Sequence, residues 1–334
     1  MAIRALPPKG FGMRAIVYTE YGSPGMLSLQ DVPTPTPGEG EVLVRVRATS
    51  INDWDWLLLN GKPFINRIGA LRRPKHHILG SDVAGVVESV GRGVTRLSPG
   101  DEVFGDMSTS GFGAFAEYVT APETSFALRP SGLTWEQVGV LPQAAGLAIT
   151  GMRAQHPVEA GHRVLVNGAG GGVGNFAIQI AKAAGAEVTG VDLPAKLDAV
   201  RAWGADHVID YTREDFGANG QTYDRILDVA CHRSMASYRR SLNPGGVCAL
   251  IGGSIPRILF IVAVGPVVSS FGSRQVRVPI WKANSPDDVA FLTGLLESGS
   301  IVPAIDSTYP LEGIPDAFRH YGAQLHRGKV AITV

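Results

Sequence analysis

The segment from Val164 to Gly174, VLVNGAGGGVG, constrains this chain more than any other. Arg163 to Asn167 predicts a short apolar strand, and Phe176, Ile178, Ile180 and Ala181 mark a helical stretch beyond it. Against the dinucleotide pattern G-x-G-x-x-G the frame is Ala169-x-Gly171-x-x-Gly174, with alanine at the first glycine. Gly171 lets the backbone approach a pyrophosphate, and Gly174 lets the helix pack closely on the strand. The free N–H groups where the helix opens, around Gly172 and Val173, are suited to hold the anion. A strand, a glycine loop and a helix in this order point to a nucleotide-binding α/β unit.

The residues that follow bear on which coenzyme would bind. Asp192 ends a second strand, Glu187 to Val191, eighteen positions beyond Gly174. A carboxylate there can accept hydrogen bonds from ribose hydroxyls and repels a 2′-phosphate, which favours NADH. Lys196, Tyr211 and Arg213 lie where a 2′-phosphate could be cradled and pull towards NADPH, although Lys196 and Arg213 also suit a solvated helix face and loop. The balance leans slightly to NADH. Ile251 and Gly252, closing a later strand, are expected beside the coenzyme as well.

Periodicity divides the rest of the chain. From Met13 to about Leu133, short β-rich runs are broken by Gly91, Gly93, Pro99-Gly100 and Gly105, the pattern of a compact β-barrel-like domain. Beyond Trp135, strands alternate with helices, the mark of a parallel sheet covered on its faces. Further strands are expected at Asp224 to Val229, Gly246 to Ile251 and Val276 to Ile280. Helices follow at Asp287 to Glu297 and Ile314 to Leu325, and a last strand, Val330 to Val334, most simply returns to the first domain. The expected organisation is a leader over 1–12, a catalytic domain over 13–133, a dinucleotide-binding domain over 134–283 and a return to the catalytic domain over 284–334. Two domains also suit 334 residues, and the 42 glycines serve both the coenzyme loop and the many turns.

Charge and cysteine content exclude several classes. Thirty basic and thirty acidic residues give zero net charge, which argues against nucleic acid or an anionic membrane as the main partner. The longest apolar stretch, Ile258 to Val268, is shorter than the roughly 20 residues of a membrane span. Cys231 and Cys248 cannot build a disulfide framework, and they fit a reducing cytoplasm.

Several motifs together resemble the medium-chain dehydrogenase/reductase superfamily, in its zinc-independent quinone oxidoreductase branch. They are SIND at Ser50 to Asp53, LGSDVAGVVESVG at Leu79 to Gly91, PGDEVFG at Pro99 to Gly105, FAEYV at Phe115 to Val119 and LPQAAGLAI at Leu141 to Ile149. GAGGGVG, GADHVIDY and the closing RGKVAITV complete the set. The resemblance implies a Rossmann-type doubly wound parallel sheet inserted into a GroES-like β-barrel catalytic domain, a homodimer, and an NAD(P)H-dependent reductase of quinones or α,β-unsaturated carbonyls. The superfamily's zinc enzymes place Cys and His at the metal, whereas this chain has Asn52 and Ser81 there and no cysteine before Cys231.

Without a Lewis acid, quinones and enones are the easier acceptors, because charge from the arriving hydride delocalises into a phenolate or enolate. The resemblance puts Asn52 beside the nicotinamide, where its amide could donate to a substrate oxygen or cap a turn. Trp54 and Trp56 offer flat platforms for a ring, or plain core packing. Leu57 stands where some relatives carry tyrosine, and Gln143 and Ala148 sit in a motif near the nicotinamide. Asp55 looks structural, Asp82 and Asp101 are expected to brace turns, and Cys231 to be a small buried thiol. The oily run Ile258 to Val268 is expected to line or cover the acceptor site, with Leu259 and Phe260 as its test positions, or else to form a dimer interface. Arg72, Arg73 and Lys75 would serve an enoyl-thioester reductase if they stood at the mouth. A nucleotide-binding sensor without catalysis is the remaining alternative.

Overall fold

The computed structural model describes residues 12–67, 70–270 and 272–334, so the expected leader, apart from Gly12, lies outside the described residues. Strands β1 (Gly12–Val17) and β2 (Ser28–Pro33) pair antiparallel, with Met13 opposite Val32. Strand β3 (Glu41–Ser50) buries Val42, Val44, Val46 and Ala48, the period-two pattern of a strand with one face on a core. It runs into helix α1 (Asp53–Asn60). Strands β4 (Asp82–Val90), β5 (Glu102–Asp106), β6 (Tyr118–Pro122) and β7 (Ala127–Leu128) complete the antiparallel part of a sheet closed later by two C-terminal strands.

Helices α2 (Trp135–Gly139) and α3 (Pro142–Met152) lead into the second sheet. It contains β8 (Arg163–Asn167), helix α4 (Gly172–Ala183), β9 (Glu187–Asp192), helix α5 (Leu197–Ala202), β10 (His207–Asp210) and β11 (Tyr223–Asp228). Helix α6 (Met235–Arg240), β12 (Leu242–Leu250), helix α7 (Ile255–Ser270) and β13 (Gln275–Arg277) finish it. The order is β10-β9-β8-β11-β12-β13 with every pair parallel, so the direction of winding reverses between β8 and β11. Ligands of such sheets bind at that reversal, beyond the carboxyl ends of the strands. Along β8, Val164 and Val166 face one core with α3 and α4, and Leu165 faces the other with α6 and α7.

A buried charge ties this sheet to α3. Arg225 of β11 is 1% exposed, and its guanidinium donates to the carbonyls of Gly151 (3.2 Å), Ala154 (2.6 Å) and His156 (2.5 Å). Those acceptors belong to the end of α3 and the turn beyond it, where the dipole favours a cation. Burial lowers the Arg225 pKa to about 10.

Helix α8 (Pro286–Glu297), β14 (Ile305–Pro310), helix α9 (Ile314–Gly322) and β15 (Lys329–Thr333) bring the chain back. Strand β15 pairs antiparallel with β3, Ala331 opposite Ser50, and parallel with β14. The parallel sheet is therefore an insertion within the antiparallel one. Two expected elements are shorter. Strand β13 ends at Arg277 because Pro279 lacks an N–H for the ladder. Helix α9 stops at Gly322, before Gln324 takes a left-handed φ of 57°.

Candidate active site

A cavity of about 1070 Å³ opens at the winding reversal, between the glycine loop, α1, α7 and the chain before β15. Gly171, Gly172, Val173, Asp192, Lys196, Tyr211, Ile251, Gly252, Asn52, Trp54 and Trp56 all line it. Gly174 does not, because it lies buried beneath the loop.

The loop takes its shape from its glycines. Gly168 turns off β8 at φ 85°, and Gly171 then precedes α4 in extended backbone with no side chain to cap the helix. A Cβ on Gly174 would drive into the Gly168 and Ala169 carbonyl oxygens. A Cβ on Gly171 would meet protein only at Gly168 O, 3.5 Å away. The first N–H groups of α4 thus open onto the cavity without a side-chain partner, and a pyrophosphate fits there.

Asp192 ends β9 at the cavity, as expected, and its carboxylate is already engaged. Its Oδ2 accepts the Gly170 N–H of the loop (2.7 Å) and its Oδ1 accepts the Leu193 N–H just beyond β9 (2.8 Å). Lys196 is not on a solvated face: it is 6% exposed, its stem lies under Gly170, and burial lowers its pKa against the pull of Asp192. No hydrogen bond or ion pair among the described residues engages its ammonium, which faces a cavity wall shared with the exposed Tyr211. Arg213 is the solvated residue, within 3.5 Å of Asp210.

The opposite wall holds a buried polar network. Asn52 starts α1 with its N–H donating to Asp55 Oδ2 (3.0 Å). Its side-chain amide donates to Ser81 Oγ (3.0 Å) and Asp82 Oδ2 (2.8 Å), and its Oδ1 accepts from Lys329 Nζ (2.5 Å). Every hydrogen-bonding group of that side chain is engaged within the protein, and its place at the start of α1 matches the capping alternative. Asp82 is likewise more than a turn brace. It accepts from Ser50 Oγ (2.5 Å), the Gln143 N–H at the start of α3 (2.8 Å) and Lys329 Nζ (3.2 Å). Asp101 does brace a turn, accepting the Ser98 N–H at 2.8 Å. The network's central cation, Lys329, was not singled out from sequence, although a lysine entering the apolar run VAITV was the available signal.

Two further carboxyls border this network. Asp55 is fully buried, accepts the Gly80 N–H (2.9 Å), and is pushed by burial up to about 7. Asp106 faces Asp82 across β4 and β5, and burial together with Asp82 raises its pKa. Its Oδ1 accepts the Ser108 N–H (2.7 Å), and its buried Oδ2 has no partner. A carboxyl whose pKa is higher folded than unfolded holds extra protons between those two values, so its contribution to stability falls as pH rises through that window. Asp106→Asn keeps the Ser108 contact and removes the titration. At about pH 8 it should therefore be more stable than wild type by on the order of 2 kcal/mol, with the gain gone near pH 4. Urea unfolding at both pH values checks this, and a pH-independent difference contradicts it.

Trp54 stacks on Phe112 (6.2 Å between ring centres) and Trp56 on Phe318 (6.3 Å), each with an edge in the cavity. Leu57 and Gln143 also reach it, and Ala148 is buried away from it. The apolar run forms part of α7, which presents Ile255 and Ile258 to the cavity and buries Ile261. Leu259, Phe260 and Val262 point to solvent, so the two expected test positions are on the wrong side of the helix. Arg72, Arg73 and Lys75 are exposed and line no part of the cavity. Among the described residues, no three His, Cys, Asp or Glu side chains are grouped to hold a metal ion, and Asn52 and Ser81 do not make a zinc donor set.

Comparison with known proteins agrees with this geometry. Residues 38–131 match the family described as "Alcohol dehydrogenase GroES-like domain", and residues 203–332 match "Zinc-binding dehydrogenase". The chain is 31% identical to the chloroplast envelope quinone oxidoreductase homolog of Arabidopsis thaliana, over 92% of this chain and 94% of that protein. It is 30% identical to the chloroplastic NADPH-dependent alkenal/one oxidoreductase of the same plant, over 96% of this chain and 79% of that protein. A mycobacterial structure complexed with NADPH superposes with a TM-score of 0.81 at 29% identity, covering 96% of this chain and all of that one.

Proposed function

Because the chain belongs to the medium-chain dehydrogenase/reductase superfamily, in its quinone oxidoreductase-like branch, we propose that it reduces quinones or α,β-unsaturated carbonyls with NADPH. The observation that carries this reading is the cavity itself. One wall is an uncapped glycine loop with the buried Lys196, and the other sets aromatic and aliphatic side chains beside the polar network of Asn52, Gln143 and Lys329.

The lean to NADH drawn from Asp192 is not supported, since its carboxylate is turned onto Gly170 and Leu193. Lys196 and Tyr211 are suited to hold a 2′-phosphate, and the relatives include an NADPH-dependent enzyme and an NADPH complex. Bound, the coenzyme supplies a hydride to a quinone ring or to the β-carbon of an enone. The protein's own part is to seat the pyrophosphate on the N–H groups of α4 and to hold the acceptor between Trp54, Leu57, Ile255 and Ile258. These side chains also keep bulk water from the reacting carbon. No strong acid among them faces the acceptor, which suits a reaction whose proton can come from water.

Lys196→Ala should raise the KM for NADPH about 10- to 100-fold, the loss of a charge-assisted phosphate contact, and change the KM for NADH little. Equal changes for both coenzymes would contradict the assignment. The reading as a whole is tested by offering both coenzymes with quinones, enones, enoyl thioesters and simple carbonyls. Turnover is expected with the first two classes. Coenzyme binding without turnover of any acceptor would favour a sensor.

The exposed Leu259, Phe260 and Val262 lie on α7 beside β13, the edge strand of the parallel sheet, and this apolar face suits the homodimer. Both cysteines are free and buried, which suits a reducing compartment such as the cytoplasm. Among the described residues, no helix is long and apolar enough to cross a membrane.

A further inference from the structure

We infer that Lys329 stabilises the negative charge that develops on the acceptor oxygen during reduction. The inference rests on the reading of this cavity as an NADPH-dependent reductase site and assigns a role to a residue of the closing RGKVAITV motif.

Lys329 is the first residue of β15, and it is 3% exposed. Its neighbour Gly328 donates its N–H to Gly170 O (2.9 Å), and its own stem lies under Gly172, where a Cβ would meet Lys329 Cδ at 2.6 Å. The lysine therefore bridges the coenzyme loop and the start of α1. Its ammonium is held by Asn52 Oδ1 at 2.5 Å and, more loosely, by Ile51 O and Asp82 Oδ2, both at 3.2 Å.

Burying an ion pair is costly, and an apolar pair of similar size often serves stability as well or better. The orientation of this pair suggests what it does. Lys329, Asn52 and Ile51 line the cavity, whereas Asp82, Ser81 and Ser50 lie behind them in the core. The cationic residue of the pair thus lies on the cavity side and the carboxylate on the core side. When hydride adds to the β-carbon of an enone, the alkene π pair shifts towards the carbonyl oxygen and leaves an enolate. A proton from water then ends on the α-carbon. A cation fixed in advance beside that oxygen lowers the barrier, because the protein does not reorganise as the charge forms. Because Asn52, Ile51 and Asp82 hold all three N–H directions of the ammonium, Lys329 acts on that oxygen through its charge rather than through a hydrogen bond.

The test uses the full chain and three variants: Lys329→Met, Lys329→Arg and Lys329→Met with Asp82→Asn. The double variant removes both charges, so no buried charge is stranded and the fold is preserved even where the single variant unfolds. NADPH affinity, measured by fluorescence titration, should stay within about threefold of wild type in the double variant, while kcat for an enone falls about 100-fold. Lys329→Arg, which keeps the charge, should recover part of that loss. A double variant as active as wild type would overturn the inference, and a loss of stability alone would assign Lys329 to structure. A loss of NADPH affinity matching the loss in kcat would overturn it too. A wild-type protein that oxidises NADPH with no enone or quinone would instead overturn the functional reading.

Discussion

Replacing Gly171 with valine leaves the fold intact and weakens NADPH binding about 10- to 100-fold, a loss of roughly 1.4–2.8 kcal/mol. The backbone of Gly171 is extended (φ −91°, ψ −175°), which a β-branched residue adopts without strain, and its Cβ direction meets no protein atom closer than 3.5 Å. The melting temperature should therefore change little. The new methyl groups, however, occupy the space through which a pyrophosphate reaches the first N–H groups of α4. Gly174→Ala makes the contrast, since its Cβ strikes the Gly168 and Ala169 carbonyls and lifts the helix off its strand. That variant should lose stability as well as affinity. Calorimetric titration and thermal melting of both variants separate the cases, and unchanged affinity in Gly171→Val contradicts the placement of the coenzyme.

Asp82→Leu is expected to cost about 3–5 kcal/mol of stability, because it strands a buried ammonium rather than merely deleting contacts. The carboxylate serves Lys329, Asn52, Ser50 and the Gln143 N–H at once, and the residue has no exposed surface. Leucine leaves each of the four donors short of one acceptor in a place where all four residues are buried. Adding Lys329→Met to Asp82→Leu should then cost little more, or recover part of the loss, since the unpaired charge is gone. Urea unfolding of the single and double variants measures that coupling. A loss below about 1 kcal/mol for Asp82→Leu would show that the pair is not desolvated as the structure has it.

What could be read from sequence was whatever depends on neighbours in the chain. The strand, glycine loop and helix at Val164 to Ala183 are one local unit, and each glycine's role follows from its offset. The same holds for the alternation of strands and helices that made the parallel sheet predictable. The site's polar wall was only partly legible because it is assembled from four distant stretches: Ser50 to Asn52, Ser81-Asp82, Gln143 and Lys329. Asn52 and Gln143 could be named one at a time, but their partners were set by β15 returning to β3, so the consumption of the Asn52 amide was not visible. The lean to NADH fails for a smaller reason: the Gly170 and Leu193 N–H groups compete with a ribose for the Asp192 carboxylate. In α7 the run from Ile258 to Val264 is apolar on every side, so periodicity gives no inner face. Only packing against Val276 and the cavity distinguishes Ile258 from Leu259.

The central claim is that this cavity delivers hydride from NADPH to a conjugated acceptor. It is tested most directly by following deuterium from NADPH labelled at the nicotinamide C4 into a cyclic enone and locating it by NMR. The predicted result is one deuterium on the β-carbon of the saturated ketone and a solvent-derived proton on the α-carbon. Deuterium on the carbonyl carbon, giving an allylic alcohol, or a protein that binds NADPH and transfers no label, would contradict it.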